Sequence, residues 1–349
     1  MNIFCDLHQD GLYNSLIMLF EKRLGHNLFR PIGESWFTEG YWKLAEPYGN
    51  SSDTITQYLG IRDNYQPVDG TRPLNEVTKV DNYYTIKGDP YNHKAITLEQ
   101  FKNMDIDIII ASYAPHIEPY HKLLKFHPKA KLIHQQGNEW AVDFSKVKNL
   151  LASVMPYNVP SDVNVIFYHQ EFDLNIYYYG EPYENKIIRS FVNTLSTQGL
   201  FEKDWVDFLE LEIYLPEYKF ESYGASTRDG VINDQKVIAE KMRESRWGVH
   251  LKNMGDGFGH VAHQWFAVGR PVIFRGSQYK DRLAGLLMKD MVTGIDLDKH
   301  SITETVNIIR NISNSEYSRM SLECYKAFNS HVDYDLEEQN IKEFLSKLK

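Results

Sequence analysis

The chain has 349 residues, 42 % hydrophobic and 24 % charged, which is long enough for two ordinary domains and too apolar for a disordered segment. Its formal net charge of −9 argues against a uniformly basic, nucleic-acid-coating surface, while leaving room for a local basic groove. Cys5 and Cys324, both in apolar patterns, give no disulfide framework and no CxxC pair, so a cytoplasmic protein is expected, in the host cytoplasm if the chain is viral.

Residues 2–7 read as a buried strand rather than a signal peptide. A polar loop, His8-Gln9-Asp10-Gly11, leads into an amphipathic helix with Leu12, Leu16, Leu19, Phe20 and Leu24 on its buried face and Gly25 at its end. Leu28-Phe29 begins a second strand, stopped by Pro31, and completes the opening of a doubly wound domain. Residues 33–96 carry frequent Gly, Pro, Asn and Asp with poor apolar periodicity, so irregular structure or a short insertion is expected there. Thr97-Leu98-Glu99-Gln100 is a capping-box pattern that opens a short helix. Strand Ile106–Ala111, a helix around 118–126, and strands Lys131–His134, Leu150–Met155 and Val163–Tyr168 then alternate as a covered parallel sheet requires.

Tyr177–Asn185 lacks a period and carries turn residues, which makes it the candidate linker. Beyond it come strand Lys186–Val192, a helix near 203–211, strand Tyr218–Tyr223, a helix near 233–244 and strand Gly248–Leu251. Gly255-Asp256-Gly257-Phe258-Gly259-His260 follows as a glycine-rich loop feeding a helix in which Val261, Trp265 and Val268 recur at helical spacing. Gly269 stands where a left-handed C-cap is wanted, Pro271 forbids continuation, and Val272-Ile273-Phe274 reads as a buried strand. Such a loop leaves backbone N–H groups over a helix N-terminus, which favours a phosphate. A helix around 280–289, a strand-like Met291–Ile295, a helix from Thr303 to about Ile312 and two helical stretches broken near 329–331 complete the chain. No apolar run approaches the ~18–20 residues of a membrane span.

The residues from Asp256 to Ile273 resemble the C-terminal motif of the family-4-like GT-B glycosyltransferases, E-G-F-G-x-x-x-x-E-A-x-A-x-G-x-P-V-I. Gly257, Phe258, Gly259, Ala267, Gly269, Pro271, Val272 and Ile273 fall in register, while Asp256 replaces the first glutamate and Gln264 the second. The resemblance covers about Lys186 to Phe328 well and the first half only as a βα pattern. It implies an α/β protein of GT-B fold, with two Rossmann-like doubly wound domains facing across a cleft. Residues 1–180 would bind the acceptor, 181–328 the nucleotide-sugar donor, and 329–349 would form a helix crossing back to the first domain.

In that family the glycine loop meets the donor diphosphate, the first acid holds sugar hydroxyls and the second holds the ribose. Asp256 can accept the same bonds from one methylene further away, and Gln264 keeps an acceptor oxygen. A plain N-cap is the blander role for Asp256. The family's arginine and lysine pair after the first strand of this domain has no equivalent in 191–199, so Arg228 and Lys252 are the candidates to neutralise phosphate. Arg228 in a solvated turn is the competing reading. His260 and His263 form an H-x-x-H with no third ligand at motif spacing, so no metal site is expected and His260 is read as a phosphate or sugar contact.

Loops at carboxyl ends of doubly wound strands carry ligands, which brings forward Asp10, His8 and Glu139 as candidate bases, with Gly11 and His116 on the acceptor side. Asp10 as a helix cap is the alternative. The expected activity is transfer of a sugar from a nucleotide-diphosphate donor, a UDP-sugar, to an acceptor hydroxyl, with no obligatory metal. The resemblance implies retention of configuration, while a base at Asp10 keeps inversion open. The acceptor would be a glycan or glycoconjugate, or a hydroxymethylated DNA base if the basic run 121–131 is more than a solvated helix face. A sugar-nucleotide epimerase and a catalytically silent binding module are the alternatives on the same fold.

Overall fold

The computed structural model describes residues 1–5, 10–31, 77–86, 92–112, 114, 117–138, 142–155, 158–182, 184–196, 201–253 and 256–349. They form two compact units, Met1–Phe172 with Tyr334–Lys349, and Asp173–Asp333. Among the described residues no helix is long and apolar enough to cross a membrane.

The first unit is built on β1 (Asn2–Cys5), whose side chains alternate between two cores. Phe4 packs against Phe101 and Tyr120 on one face, while Ile3 and Cys5 meet Leu12, Leu16 and Phe20 on the other. α1 (Asp10–Ile17) runs into a π-helical stretch, Met18–Arg23, and Gly25 at φ +66° ends it. The following strands are β2 (Asn27–Pro31), β3 (Val77–Val80), β4 (Tyr83–Ile86), β5 (Lys94–Ile96), β6 (Ile108–Ala111), β7 (Lys131–Gln136), β8 (Asn149–Ala152) and β9 (Asn164–Phe167). Their order is β3-β4-β5-β2-β1-β6-β7-β8-β9, parallel except where β4 meets β3 and β5. α2 (Leu98–Asn103) begins with the Thr97–Gln100 capping box, and α3 (Ile117–Leu123) precedes β7. The region 33–96 is therefore not wholly irregular, because β3 and β4 form a hairpin around Asp81 at φ +48°. Most of the remainder of that region lies outside the described residues.

The second unit contains β10 (Ile187–Ser190), α4 (Glu202–Tyr214), β11 (Lys219–Ser222), α5 (Gln235–Glu244), β12 (Trp247–Val249), α6 (His260–Ala267) and β13 (Val272–Phe274). It continues with α7 (Gly276–Tyr279), α8 (Leu283–Leu287), β14 (Gly294–Asp296), α9 (Ile302–Asn311) and α10 (Asn314–His331). The helix expected over 280–289 is instead two short ones, parted at Asp281 with φ +60°. All five strands are parallel, in the order β11-β10-β12-β13-β14. α6 ends in the double bond of a Schellman motif, Arg270 N to Trp265 O at 2.9 Å and Gly269 N to Phe266 O at 3.0 Å, with Gly269 at φ +70°.

The candidate linker is anchored in the second unit. Arg270, fully enclosed, donates to the carbonyls of Gly180 at 2.8 Å, Glu181 at 3.1 Å and Arg243 at 2.9 Å. Tyr177 donates to Gln235, and Arg243 to the carbonyl of Ile176 at 2.7 Å. These bonds draw the tyrosine segment into the second unit, so the division falls at Phe172/Asp173 and not after residue 180. The later division falls at Asp333/Tyr334 and not after 328, because α10 runs unbroken to His331. α11 (Tyr334–Ser346) packs Ile341 and Phe344 into the first unit's core, and its Glu337 accepts from His169 N at 2.9 Å.

Candidate functional site

In the second sheet the chain leaves β10 for β11 on one side and then returns to place β12 on the other. Open parallel sheets bind ligands at the carboxyl ends of the two strands that flank such a reversal. β12 delivers His250 to that edge, its N–H bonded to Ile273 O at 3.0 Å. His250 is 1 % exposed, with its ring beside that of buried Tyr279, centroids 5.6 Å apart.

Asp256 turns back onto this strand end. Its Oδ2 accepts from His250 Nε2 at 2.9 Å and its Oδ1 from the Lys252 ammonium. Burial pushes the Asp256 carboxyl up, but the His250 bond and the Lys252 charge outweigh it and hold the group well below the ordinary carboxylate range. The loop has its own support. Lys252 N donates to Gln278 Oε1 at 2.8 Å, Gln278 Nε2 to Asp204 Oδ1 at 2.9 Å, and Asn253 N to Asp204 Oδ2 at 2.5 Å. Asp204 lies in the first turn of α4, and burial raises its pKa against those two bonds.

The glycine turn then starts α6. Gly259 occupies the N-cap position at φ +82°, and a Cβ there would sit 3.1 Å from Ala284 Cβ, so glycine is favoured. Asp256 is thus not the N-cap, and among the described residues no side chain caps α6. Its first N–H groups are therefore available, as far as the described residues go, to solvent or a ligand. Phe258 is buried and stacks on His263 at 4.1 Å and 12°. His263 is turned inward, its Nδ1 at 2.9 Å from Gly259 O. His260 sits half-buried against the Phe258 ring at 5.1 Å. Gln264 is mostly buried, and its amide makes no hydrogen bond among the described residues. Among those residues no three His, Cys, Asp or Glu side chains cluster as a metal site would require.

Lys252 and Asp256 meet at the end of β12, the turn Gly257–Gly259 leads from them into α6, and His260 and Gln264 follow on that helix, while Arg228 is engaged elsewhere. Its guanidinium bonds Glu212 at 2.7 Å, Asp229 at 3.1 Å and Phe220 O at 2.8 Å, lying over the Trp205 and Phe208 rings. With its fork on two carboxylates and a carbonyl, Arg228 braces the loop after β11. Asp10 and Gly11 form the first turn of α1. The side chain of Asp10, and all of His8, His116 and Glu139, lie outside the described residues. Sequence reasoning missed His250, Gln278 and Asp204. His250 could have been found as the polar residue closing an apolar strand, whereas Asp204 and Gln278 come from segments about 50 and 25 residues away and leave no local pattern.

No protein-family model and no curated protein matches the sequence. Solved structures do match. HepE of Anabaena in complex with UDP-glucose aligns with a TM-score of 0.61 at 12 % identity over 100 % of both chains. The pneumococcal O-GlcNAc transferase GtfA with UDP and GlcNAc gives 0.62 at 11 % over 99 % of both, and a glycosyltransferase from Rickettsia africae 0.60 at 12 % over 99 % of both. The chain has the GT-B glycosyltransferase fold.

Proposed function

We propose that the protein is a glycosyltransferase whose second unit binds a nucleotide-diphosphate sugar and whose product is a new glycosidic bond to an acceptor hydroxyl. The observation that carries this reading is the turn Asp256–Gly259, an uncapped helix start at the switch point of a parallel sheet, with a charged carboxylate and a lysine beside it. The free N–H groups of α6 and the Lys252 ammonium suit the negative charge of a leaving diphosphate. Asp256, kept ionised, suits the hydroxyls of the donor sugar, and Gln264, with an uncommitted amide, suits the ribose. HepE and GtfA were solved with UDP and with UDP-glucose or GlcNAc, which favours a UDP-sugar as donor. Because helix and lysine supply the positive charge, turnover is expected to survive chelation of divalent metal.

The acceptor belongs to the first unit in this reading, with Asp10, His8 or Glu139 as the base and Gly11 and His116 near the acceptor. A glycan or glycoconjugate is the acceptor we propose. A modified DNA base has no counterpart among these neighbours and is not carried forward. A silent binding module is the second reading, favoured by the uncharged Gln264 and by the two partners already on Asp256.

The test is thermal unfolding against a panel of nucleotide sugars, followed by release of nucleotide from the donor that binds, with and without chelator. A donor at ~100 times its dissociation constant adds about 2.7 kcal/mol, which moves the melting point visibly. A shift with turnover supports the transferase, and a shift with no turnover on any acceptor supports the silent module. No shift across the panel refutes the donor site.

A further inference from the structure

The two partners of Asp256 differ in how deeply they are buried. His250 is 1 % exposed, and its Nδ1 is buried with no hydrogen-bond partner among the described residues. An ionised carboxylate can only accept, so Nε2 carries the proton that it gives to Asp256 Oδ2, and the buried ring lies beside Tyr279. The Lys252 side chain is 30 % exposed. Its backbone is fixed by the Gln278 bond, but its ammonium sits at the end of four rotatable methylenes at the solvent edge. Asp256 offers two oxygens, one bound to the buried partner and the other to the partly exposed one.

We infer that Lys252 is an exchangeable partner of Asp256: it is paired with Oδ1 in the free protein and passes to the diphosphate when a nucleotide sugar arrives. Oδ1 then accepts a hydroxyl of the donor sugar, while His250 keeps the carboxylate aimed through Oδ2. The exchange rests on the proposed donor site and adds a coupling to it. The uncapped start of α6 lies three residues beyond Asp256, so a phosphate on its N–H groups competes for the same ammonium. A nucleoside diphosphate without sugar takes Lys252 away and gives Asp256 nothing in return. A nucleotide sugar satisfies both groups. A free sugar has no charge with which to displace the lysine. Preference for the complete donor over its parts thus comes from one ion pair that only the complete donor replaces.

The experiment is isothermal titration of the full chain with UDP and with UDP-glucose, in wild type, Asp256→Asn and Lys252→Met. Asp256→Asn releases the lysine, so UDP is expected to bind about threefold to fivefold tighter, the value of a weak ion pair, while the advantage of UDP-glucose over UDP falls to near unity. Lys252→Met is expected to weaken both ligands about tenfold and to flatten their salt dependence. If Asp256→Asn leaves UDP unchanged or weakens it, the exchange is overturned while the donor site stands. If wild type binds no member of a nucleotide-sugar panel, donor site and exchange fall together. Should Asp256→Asn not fold, Lys252→Met at its solvent-edge position decides alone, and unchanged affinity for UDP overturns the proposal.

Discussion

Replacing Gly259 by alanine tests whether the turn at α6 is set by the backbone or by packing. The residue holds φ +82°, where an L side chain costs about 1–2 kcal/mol. The new Cβ would also stand 3.1 Å from Ala284 Cβ, a contact that a shift of a few tenths of an ångström in α8 relieves. The backbone penalty is the larger of the two, so Gly259→Ala is expected to destabilise by about 1–2 kcal/mol, with about 2–4 °C of melting point lost per kcal/mol. A double-mutant cycle with Ala284→Gly separates the contributions. That partner removes the opposing methyl and leaves φ unchanged, so the coupling between the two substitutions should stay below about 0.5 kcal/mol. Thermal melts of the four proteins give the cycle, and nucleotide-sugar titration of the same samples reads the aim of the α6 N–H groups. If Ala284→Gly restores most of the lost stability, packing and not the left-handed backbone selects glycine, and the argument for the turn is refuted.

Arg270→Met keeps the stem but leaves the carbonyls of Gly180, Glu181 and Arg243 without their donor, at a cost of about 3–5 kcal/mol offset in part by no longer burying a cation. Proteolytic cleavage within 177–182 should rise sharply, and an unchanged cleavage rate would remove the anchoring role. Acid should loosen the second unit. Glu221 is buried, which alone raises its pKa, but bonds from Lys219 and Arg189 hold it down to about 2 against an ordinary 4.5. Its folded value lies below its unfolded one, so its contribution is complete above pH 4.5 and is lost as pH falls toward 2. Asp256 acts in the same direction from an ordinary 3.8 downward. Urea midpoints between pH 7 and 2 should fall through that window, and Glu221→Gln should flatten the fall; an identical acid profile in that variant would sink the assignment. Glu337→Ala strips His169 N and Nδ1 of their acceptor, at about 1–3 kcal/mol, and should speed hydrogen exchange in 334–346 while leaving 202–331 protected.

Sheet strands were legible wherever both faces are covered. β1 from Ile3 to Cys5 and β6 are continuous apolar runs, because alternate side chains enter two different cores, and β13 is apolar and buried throughout. α2 announced itself through Thr97 and Gln100, and the end of α6 through Gly269, since caps are local chemistry. The β3–β4 hairpin was hidden by composition. Asp81-Asn82 reads as loop, yet Val77-Thr78-Lys79-Val80 and Tyr83-Tyr84-Thr85-Ile86 on either side carry the β-branched and aromatic residues of strands, and the pair itself is the turn. Boundaries moved where tertiary bonds overrode local sequence. Nothing in Tyr177–Glu181 says that an arginine some 90 residues later will take its carbonyls.

The site divides along the same line. The glycines at 257 and 259, and the acid and amide at 256 and 264, occupy one continuous stretch, because a helix start and its loop must be adjacent in the chain to shape a common surface. What decides the behaviour of that surface comes from elsewhere. Asp256 owes its charge to His250 and Lys252, which reach it from the preceding strand end. Lys252 and Asn253 owe their place to Gln278 and Asp204, which the fold brings in from α7 and α4. Arg228 follows the same rule, since Glu212, sixteen residues upstream on the neighbouring helix, takes part of its guanidinium. A sequence motif can therefore mark where a donor would lie, while the charge available to meet it is set by partners that only the folded sheet assembles.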